Sequence, residues 1–424
     1  MVSSKKSLRV LAFMMVAVLM LGVAPASLAE APAKVSIWHT FTKGQEEYIN
    51  KAVNDFNASQ SNVVVEALTQ PYAGFTDSVY NAVNEGIGPD IIFNYSSEAA
   101  KYVDAGQLAD LSQYIFDDEI GIEGFETSLV EGVMNGEVYA FSDGLIHYLP
   151  AYTTGPILFY NRTMFEELQL EVPTSWEEME AVCAIIKDSK DMPGFAMDSV
   201  TDFVQMLIME APNSGYIDVE NKVVLFDTQE VRAQVQWMVD MVTKGYFAIK
   251  SSGNYFSEDF NGGIIASYMG SSAGFPYIAP NGFEFAMAPV PAESWYPSWN
   301  RGPIVFYYGD DARAEGAYEF VKYFISKDVN AGWVEAVIAL APYAWTKEAD
   351  AYKKYAAEDT PSGQAIKAVE ANLGVVGSLP AVTGAAAIRD YLKAAIDKAA
   401  AGEMTVEEAW GECVTLSNAA LQGK

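Results

Sequence analysis

From Val35 onward the chain alternates short apolar segments with amphipathic ones, and this alternation limits the fold more than any other feature. Val35-Ser36-Ile37-Trp38 reads as a strand. A helix follows, with Ile49, Val53 and Phe56 on one face at the four-then-three spacing of an amphipathic helix. Val63-Val64-Val65 makes a second strand, and Phe75, Val79 and Val83 mark a second helix. After the Gly88-Pro89 break, Asp90-Ile91-Ile92-Phe93 makes a third strand. Such a β-α-β-α-β start implies a largely parallel sheet covered by helices.

The segment from Pro150 to Lys187 restarts the pattern. A short polar turn leads into the strand Ile157-Leu158-Phe159-Tyr160, then an Asn-Arg pair, then an amphipathic helix. Thr174 with Glu177 reads as a capping box that opens the helix through Met179, Val182 and Ile186. Asp227 and Glu230 open another, carrying Val231, Val235, Met238 and Val242 and stopped at Gly245. Thr405 and Glu408 open the last, with Val406, Trp410 and Cys413 inward. The sequence has neither a short internal repeat nor a low-complexity linker. Two α/β lobes joined by brief crossing strands are the architecture this implies.

The N-terminus reads as a targeting segment. Lys5, Lys6 and Arg9 precede an apolar run from Val10 to Val23, and Ser27-Leu28-Ala29 supplies small residues for cleavage after Ala29. The run is shorter than the roughly 20 residues of a membrane span, and no cysteine stands near the cleavage site to carry a lipid. Export to the periplasm is the expectation, with free secretion the alternative. Cleavage leaves 424 − 29 = 395 residues and a charge of 23 − 56 = −33. So acidic a surface repels nucleic acid and anionic lipid at long range. It leaves room for an anionic small ligand, since an arginine inside a cleft acts within the screening length.

Enzyme signatures are sparse. His39 and His147 are the only histidines, far apart and without a metal-ligand spacing, and both read as strand-end or packing residues. Neither a Gly-x-Ser-x-Gly elbow, a phosphate-binding Gly-rich Lys loop nor a His-Glu-x-x-His run is present. Asp117-Asp118 and Glu177-Glu178 read as solvated faces. No metal and no cofactor is expected. A glycosidase with two separated carboxylates stays open as a rival, because spacing in sequence does not fix spacing in space. Cys183 and Cys413 fall on apolar helix faces and read as buried thiols, with a disulfide the alternative in an oxidising compartment.

Several segments taken in order resemble the family 1 extracellular solute-binding proteins of ABC importers, the class that includes maltose-binding and glycerol-3-phosphate-binding proteins. They are Ile37-Trp38-His39-Thr40, Gly88-Pro89-Asp90-Ile91, the crossing strand from Gly155 to Arg162, Pro173-Thr174-Ser175-Trp176, and the helix Ala317 to Phe324. The resemblance covers essentially the whole mature chain. It implies a periplasmic-binding-protein-like fold, two α/β lobes with largely parallel sheets joined by a hinge, and a ligand held between them. It also implies a monomer that captures a small solute, a sugar or a phosphorylated polyol, and docks on the permease's transmembrane subunits. The expected division is 1–29 signal peptide, 30–152 and 304–342 first lobe, and 153–303 and 343–424 second lobe. Ligand-driven hinge closure is the physical basis, and ligands of open α/β sheets bind at the carboxyl ends of strands.

Within that family several positions resemble the glycerol-3-phosphate-binding branch. By this resemblance Tyr72, Thr154, Ser271 and Gly302 stand at ligand-contacting positions, and Arg389 at that of an arginine clamping an anionic group. Ser96 stands where the branch has a glutamate and Leu340 where it has a tyrosine, so the particular solute is not carried over. From the residues alone, the turn Gly270-Ser271-Ser272-Ala273-Gly274 offers N–H groups and hydroxyls to an anion or sugar, or is an ordinary helix-entry turn. Arg389 near a helix start works against the helix dipole, which suits a binding role, and a salt bridge is its alternative. Trp295, Tyr296 and Trp299, ahead of Arg301 and Gly302, read as a sugar-stacking platform with an adjacent arginine that can bond hydroxyls or phosphate, or as local packing. An importer's binding protein, a secreted carbohydrate-active hydrolase and a ligand sensor on the same fold are the three functional alternatives.

Overall fold

Ten strands build two sheets of the same plan in this computed structural model, which describes residues 31–423 apart from 104, 130–132, 142, 251–254, 358–359, 378, 381 and 383. The expected signal segment, 1–29, lies outside the described residues. In chain order the strands are β1 (Ala33–His39), β2 (Val63–Thr69), β3 (Ile91–Tyr95), β4 (Tyr152–Thr154), β5 (Pro156–Asn161), β6 (Phe195–Ala196), β7 (Phe247–Ala248), β8 (Ser267–Ser271), β9 (Phe285–Pro289) and β10 (Trp299–Val305). Short pairings at Ile217–Asp218 with Val223–Val224, and at Tyr296–Pro297 with Val376–Gly377, lie outside the two sheets.

The first sheet has the order β2-β1-β3-β10-β4. β1 runs parallel to β2 and β3, whereas β10 is antiparallel to both β3 and β4. The second sheet is β7-β6-β8-β5-β9. β6 is parallel to β7, a parallel Met197–Met269 bridge joins its end to β8, and β5 is antiparallel to β8 and β9. The common strand direction expected from the β-α-β-α-β start thus holds for four strands of each sheet, and one strand, β10 in the first and β5 in the second, runs the other way. The reason is topological. In each sheet the antiparallel member is the strand that has just arrived from the other lobe, β5 after β4 and β10 after β9, and it enters at the edge the other strands point toward.

The same strands fix where the chain crosses. β4 ends at Thr154 and β5 starts at Pro156, so the first crossing falls at Gly155. Its Cβ-less backbone passes against the Tyr296 ring, where an added Cβ would lie 2.2 Å from the hydroxyl. The return crossing falls before Trp299, because Trp299, Asn300 and Arg301 already pair with Thr154, Thr153 and Tyr152. Residues 153–154 and 299–303, expected in the second lobe, therefore lie in the first sheet; a hinge strand looks apolar on either side of the crossing, so its hydrophobicity does not say which sheet it joins.

The helices follow their patterns closely. The helix Gly44–Ser59 buries Ile49, Val53 and Phe56, and Phe75–Asn84 buries Phe75, Val79 and Val83. Two caps lie one residue later than the sequence suggested. Ser175, not Thr174, caps Trp176–Lys190 by accepting from the Glu178 N–H, while Glu178 accepts from Thr174. Thr228, not Asp227, caps Gln229–Thr243, and Asp227 instead pairs with Arg232. The Thr405–Glu408 capping box is present as read. Both cysteines are buried free thiols, and burial raises each thiol well above its ordinary value.

Candidate functional site

The alternation of β10 sorts its residues onto two faces, as any strand does. Trp299, Arg301 and Pro303 share one face, while Asn300 and Gly302 share the other. Register then supplies Arg301 with neighbours, since it stands opposite Tyr95 of β3 on one side and Tyr152 of β4 on the other. Directly opposed residues project together, so the guanidinium emerges between two phenols at the edge where β1 and β3 end.

There it is held closely. Its Nη2 donates to the Phe93 carbonyl at 2.9 Å and to Thr40 Oγ1 at 3.2 Å. The guanidinium carbon lies 5.1 Å from the centre of the Phe41 ring and 5.6 Å from that of Tyr95. Its Nε is buried with no hydrogen-bond partner, and among the described residues no carboxylate pairs with it. Arg301 forms one wall of a pocket of about 330 Å³ shared with Thr40, Tyr72, Gly74, Asp77, Asn94, Tyr95 and Glu98. A second pocket, of about 390 Å³, lies on the β5–β9 side near Tyr160, Arg162, Met287 and Gln364; its one cation, Arg162, is already tied to Glu166.

The second lobe faces the first pocket with its own polar set. Arg389 donates to Asp202 at 2.7 Å and to Gln205 at 2.9 Å. Asp202 and Arg389 both lie within electrostatic reach of Tyr95. Tyr255 lies within reach of Tyr72, Asp198 and Arg301. Lys43 stacks over the Tyr277 ring at 4.2 Å. One pair of phenols, Tyr72 with Tyr255, and one cation–π contact, Lys43 with Tyr277, thus link the lobes. Asp198 accepts from the Phe256 N–H at 2.7 Å, and burial above all pushes its carboxyl up to about 7.

The expected site residues separate into groups. Arg301 and Tyr72 line the pocket, the latter 62% exposed after β2. Ser96 is buried at the start of the helix Ser96–Val103, beside the Tyr95 strand end. Ser271 ends β8 and caps the short turn Ser272–Tyr277 through the Ala273 N–H, next to the Gly155 crossing. Thr154 is buried, its hydroxyl donating to the Trp299 carbonyl at 3.0 Å, which ties the two hinge strands together. Gly302 points away from the pocket: an added Cβ would lie 1.8 Å from the Leu149 carbonyl oxygen, so the glycine is required by strand packing. Arg389 is already in an ion pair, which is the salt-bridge alternative with Asp202 as the partner. Trp295 and Tyr296 are buried, Tyr296 donating to the Pro156 carbonyl at 2.8 Å; they pack the hinge and form no platform, while Trp299 is partly buried on β10.

The residues that sequence reasoning did not single out are Thr40, Asn94, Tyr95, Tyr152, Asp198, Asp202, Tyr255 and Tyr277. A signal existed for Asp198, the first acidic residue after the apolar run Phe195-Ala196-Met197 and hence at a strand's carboxyl end. None existed for Tyr255 or Tyr277, which depend on how the lobes meet. Both histidines are packing residues. His39 stacks on Phe41, and burial lowers it to about 4, so it is neutral. His147 bonds the Ala109 carbonyl and Asp143. Among the described residues no cluster suited to a metal ion occurs, and no helix is long and apolar enough to cross a membrane.

Residues 51–360 match the family described as bacterial extracellular solute-binding protein, and the chain belongs to that family. Over 93% of its length it is 24% identical to the sn-glycerol-3-phosphate-binding periplasmic protein UgpB of Rhizobium meliloti, of which 95% is covered. Among solved structures, the cyclic α-maltosyl-1,6-maltose binding protein of Arthrobacter globiformis superposes with a TM-score of 0.78 at 24% identity, over 93% of this chain and 100% of that one. UgpB of Mycobacterium tuberculosis, solved with glycerophosphocholine, superposes with a TM-score of 0.77 at 16% identity, over 93% and 99%. The two-lobed solute-binding fold is therefore the fold of this chain.

Proposed function

We propose that the chain is the solute-binding component of an ABC importer. It captures a sugar or a glycerol-phosphate-like polyol between its lobes and hands it, unaltered, to the membrane permease. The observation that carries this is the pocket at the strand ends of the first sheet. Its wall holds the half-paired Arg301 and Tyr72, which Tyr255 of the second sheet's side approaches, and Lys43 and Tyr277 make a second contact between the lobes. Phenols and guanidinium groups suit hydroxyl-rich ligands, since they offer flat faces and directional donors together. The relatives support the ligand class: one set is named for glycerol 3-phosphate, and one solved structure for a cyclic maltosyl sugar. We place the first lobe at 30–154, 299–342 and the second at 156–297, 343–424, with Gly155 and Ser298 as the turning points. The protein acts in the periplasm as a monomer.

The test is a thermal-shift screen of the mature protein against sugars, polyols and their phosphates, followed by solution scattering with each hit. A ligand at 100 times its dissociation constant adds about 2.7 kcal/mol to stability, and closure reduces the radius of gyration. If ligands raise the midpoint but never compact the particle, capture by closure is wrong. Product formation from a hit glycoside at catalytic protein concentration would replace this reading with a hydrolase.

A further inference from the structure

The cleft holds two arginines, and their electrostatic states are opposite. Arg389 is satisfied from within, by the carboxylate of Asp202 and the amide oxygen of Gln205. Arg301 has no such partner. It spends one nitrogen on a carbonyl and a hydroxyl, leaves Nε buried and unbonded, and stands against the phenols of Tyr72, Tyr95 and Tyr152; Asp77 and Glu98 line the same pocket but neither forms an ion pair with it, and Glu98 is held by Lys101. A guanidinium taken partly out of water without a counter-charge costs stability. Stacking on Phe41 and Tyr95 offsets part of that cost, and the remaining charge faces the pocket.

We propose that Arg301, and not Arg389, anchors the charged end of the solute, and that this end is the oxyanion of a small polyol or sugar, a phosphate or a carboxylate. The inference rests on the reading of the pocket as the capture site and adds to it the polarity of the bound solute. The anion lies against the first sheet, where Arg301 receives it from the β10 edge and the phenols of Tyr95 and Tyr152 give hydroxyl donors beside it. The polyol end lies toward the second lobe, where Asp198, Asp202 and Arg389 bond hydroxyl groups. Arg389 then serves neutral and charged solutes alike. The chain's overall negative charge does not oppose this, because repulsion from distant surface carboxylates is screened within about 10 Å at 0.1 M salt, whereas contact with the guanidinium is not.

Isothermal titration with two anionic probes, glycerol 3-phosphate and glucuronate, and two neutral ones, glycerol and glucose, tests the assignment. The two anions separate phosphate from carboxylate recognition. Wild type is expected to favour at least one anion over its neutral counterpart by 30-fold or more. Arg301→Gln should remove that preference, weakening the anion at least tenfold more than its neutral counterpart, and Arg301→Lys should restore part of it. Thr40→Asp gives a second route that keeps the cation: a carboxylate beside Nη2 would neutralise Arg301 from within, as Asp202 does Arg389, and erase the same preference. Arg389→Gln should weaken charged and neutral solutes together. An anion preference that survives in both Arg301→Gln and Thr40→Asp, or that disappears selectively in Arg389→Gln, overturns the proposal. So does a wild type that binds neither anion. Glucose binding with compaction in that same protein would leave solute capture standing while the anchor falls.

Discussion

Glu137 offers a quantitative handle on the hinge. It sits in the π-helical turn Met134–Val138, buried, and its Oε1 accepts from the side-chain amide of Asn300 at 2.6 Å. Asn300 belongs to the hinge strand, and Tyr148 donates to its carbonyl at 2.6 Å. The other carboxyl oxygen of Glu137 and the amide oxygen of Asn300 are both buried without partners. A protonated carboxyl brings one more donor and lets the acid and the amide satisfy each other; an ionised one leaves two acceptors unpaired. Burial, the largest effect, raises the Glu137 carboxyl from 4.5 to about 7, against the Asn300 amide and the nearby Tyr148 hydroxyl, which favour ionisation. Between those two values the folded protein holds a proton that the unfolded chain has released, so stability from this group is complete below about 4.5 and is lost as pH rises through 7. At 1.36 kcal/mol per pH unit, the interval corresponds to roughly 3 kcal/mol. Glu137→Gln keeps the shape and carries a permanent donor, so it should match wild type at pH 4.5 and exceed it by up to that amount at pH 8. With about 2.1 cal/mol/K of unfolding entropy per residue over some 395 residues, this is about 4 °C in Tm. Circular-dichroism melts of both proteins at the two pH values decide it. A Tm difference that is the same at both, or a less stable variant at pH 8, refutes the argument.

Two further outcomes follow from the packing around the cleft. Asp202→Asn leaves Arg389 without its counter-charge. A fully buried pair would lose about 3–5 kcal/mol, but the Arg389 side chain is 44% exposed against 8% for Asp202, so solvent screening reduces the expected loss to about 1–2 kcal/mol, read as a shift in the urea midpoint; an unchanged midpoint counts against the pair. Gly302→Ala drives a methyl onto the Leu149 carbonyl oxygen and should cost about 1–3 kcal/mol with the order of solute preference unchanged; a variant as stable as wild type with altered preference would return Gly302 to the ligand.

Much of the fold was legible because local periodicity and burial agree. The strands around Ile37, Val65, Ile92 and Phe159 and the helices on Ile49, Val79, Met179 and Trp410 all lie where their apolar spacing puts them. The caps at Ser175 and Thr228 were misread by one residue because two adjacent polar residues can each offer an oxygen to the first turn, and only the backbone conformation chooses between them. The site was less legible. Tyr72 and Arg301 sit on the pocket, but Trp295, Tyr296, Thr154 and Gly302 are hinge packing, since an aromatic or a glycine near a crossing point looks the same whether it meets a ligand or a neighbouring strand.

The sequence by itself determined the class of fold, the alternation of elements, the burial of the cysteines and histidines, and the family. These follow from local spacing and from the order of segments along the chain. Only the tertiary structure decided which arginine is free. Arg389 and Asp202 lie 187 positions apart and meet through the packing of Ala385–Ala400 on Val200–Glu210, while the register of β10 sets Arg301 between Tyr95 and Tyr152, in an ion pair with no described carboxylate. Charge compensation depends on distance in space, and a one-residue change of register would turn Arg301 to the opposite face.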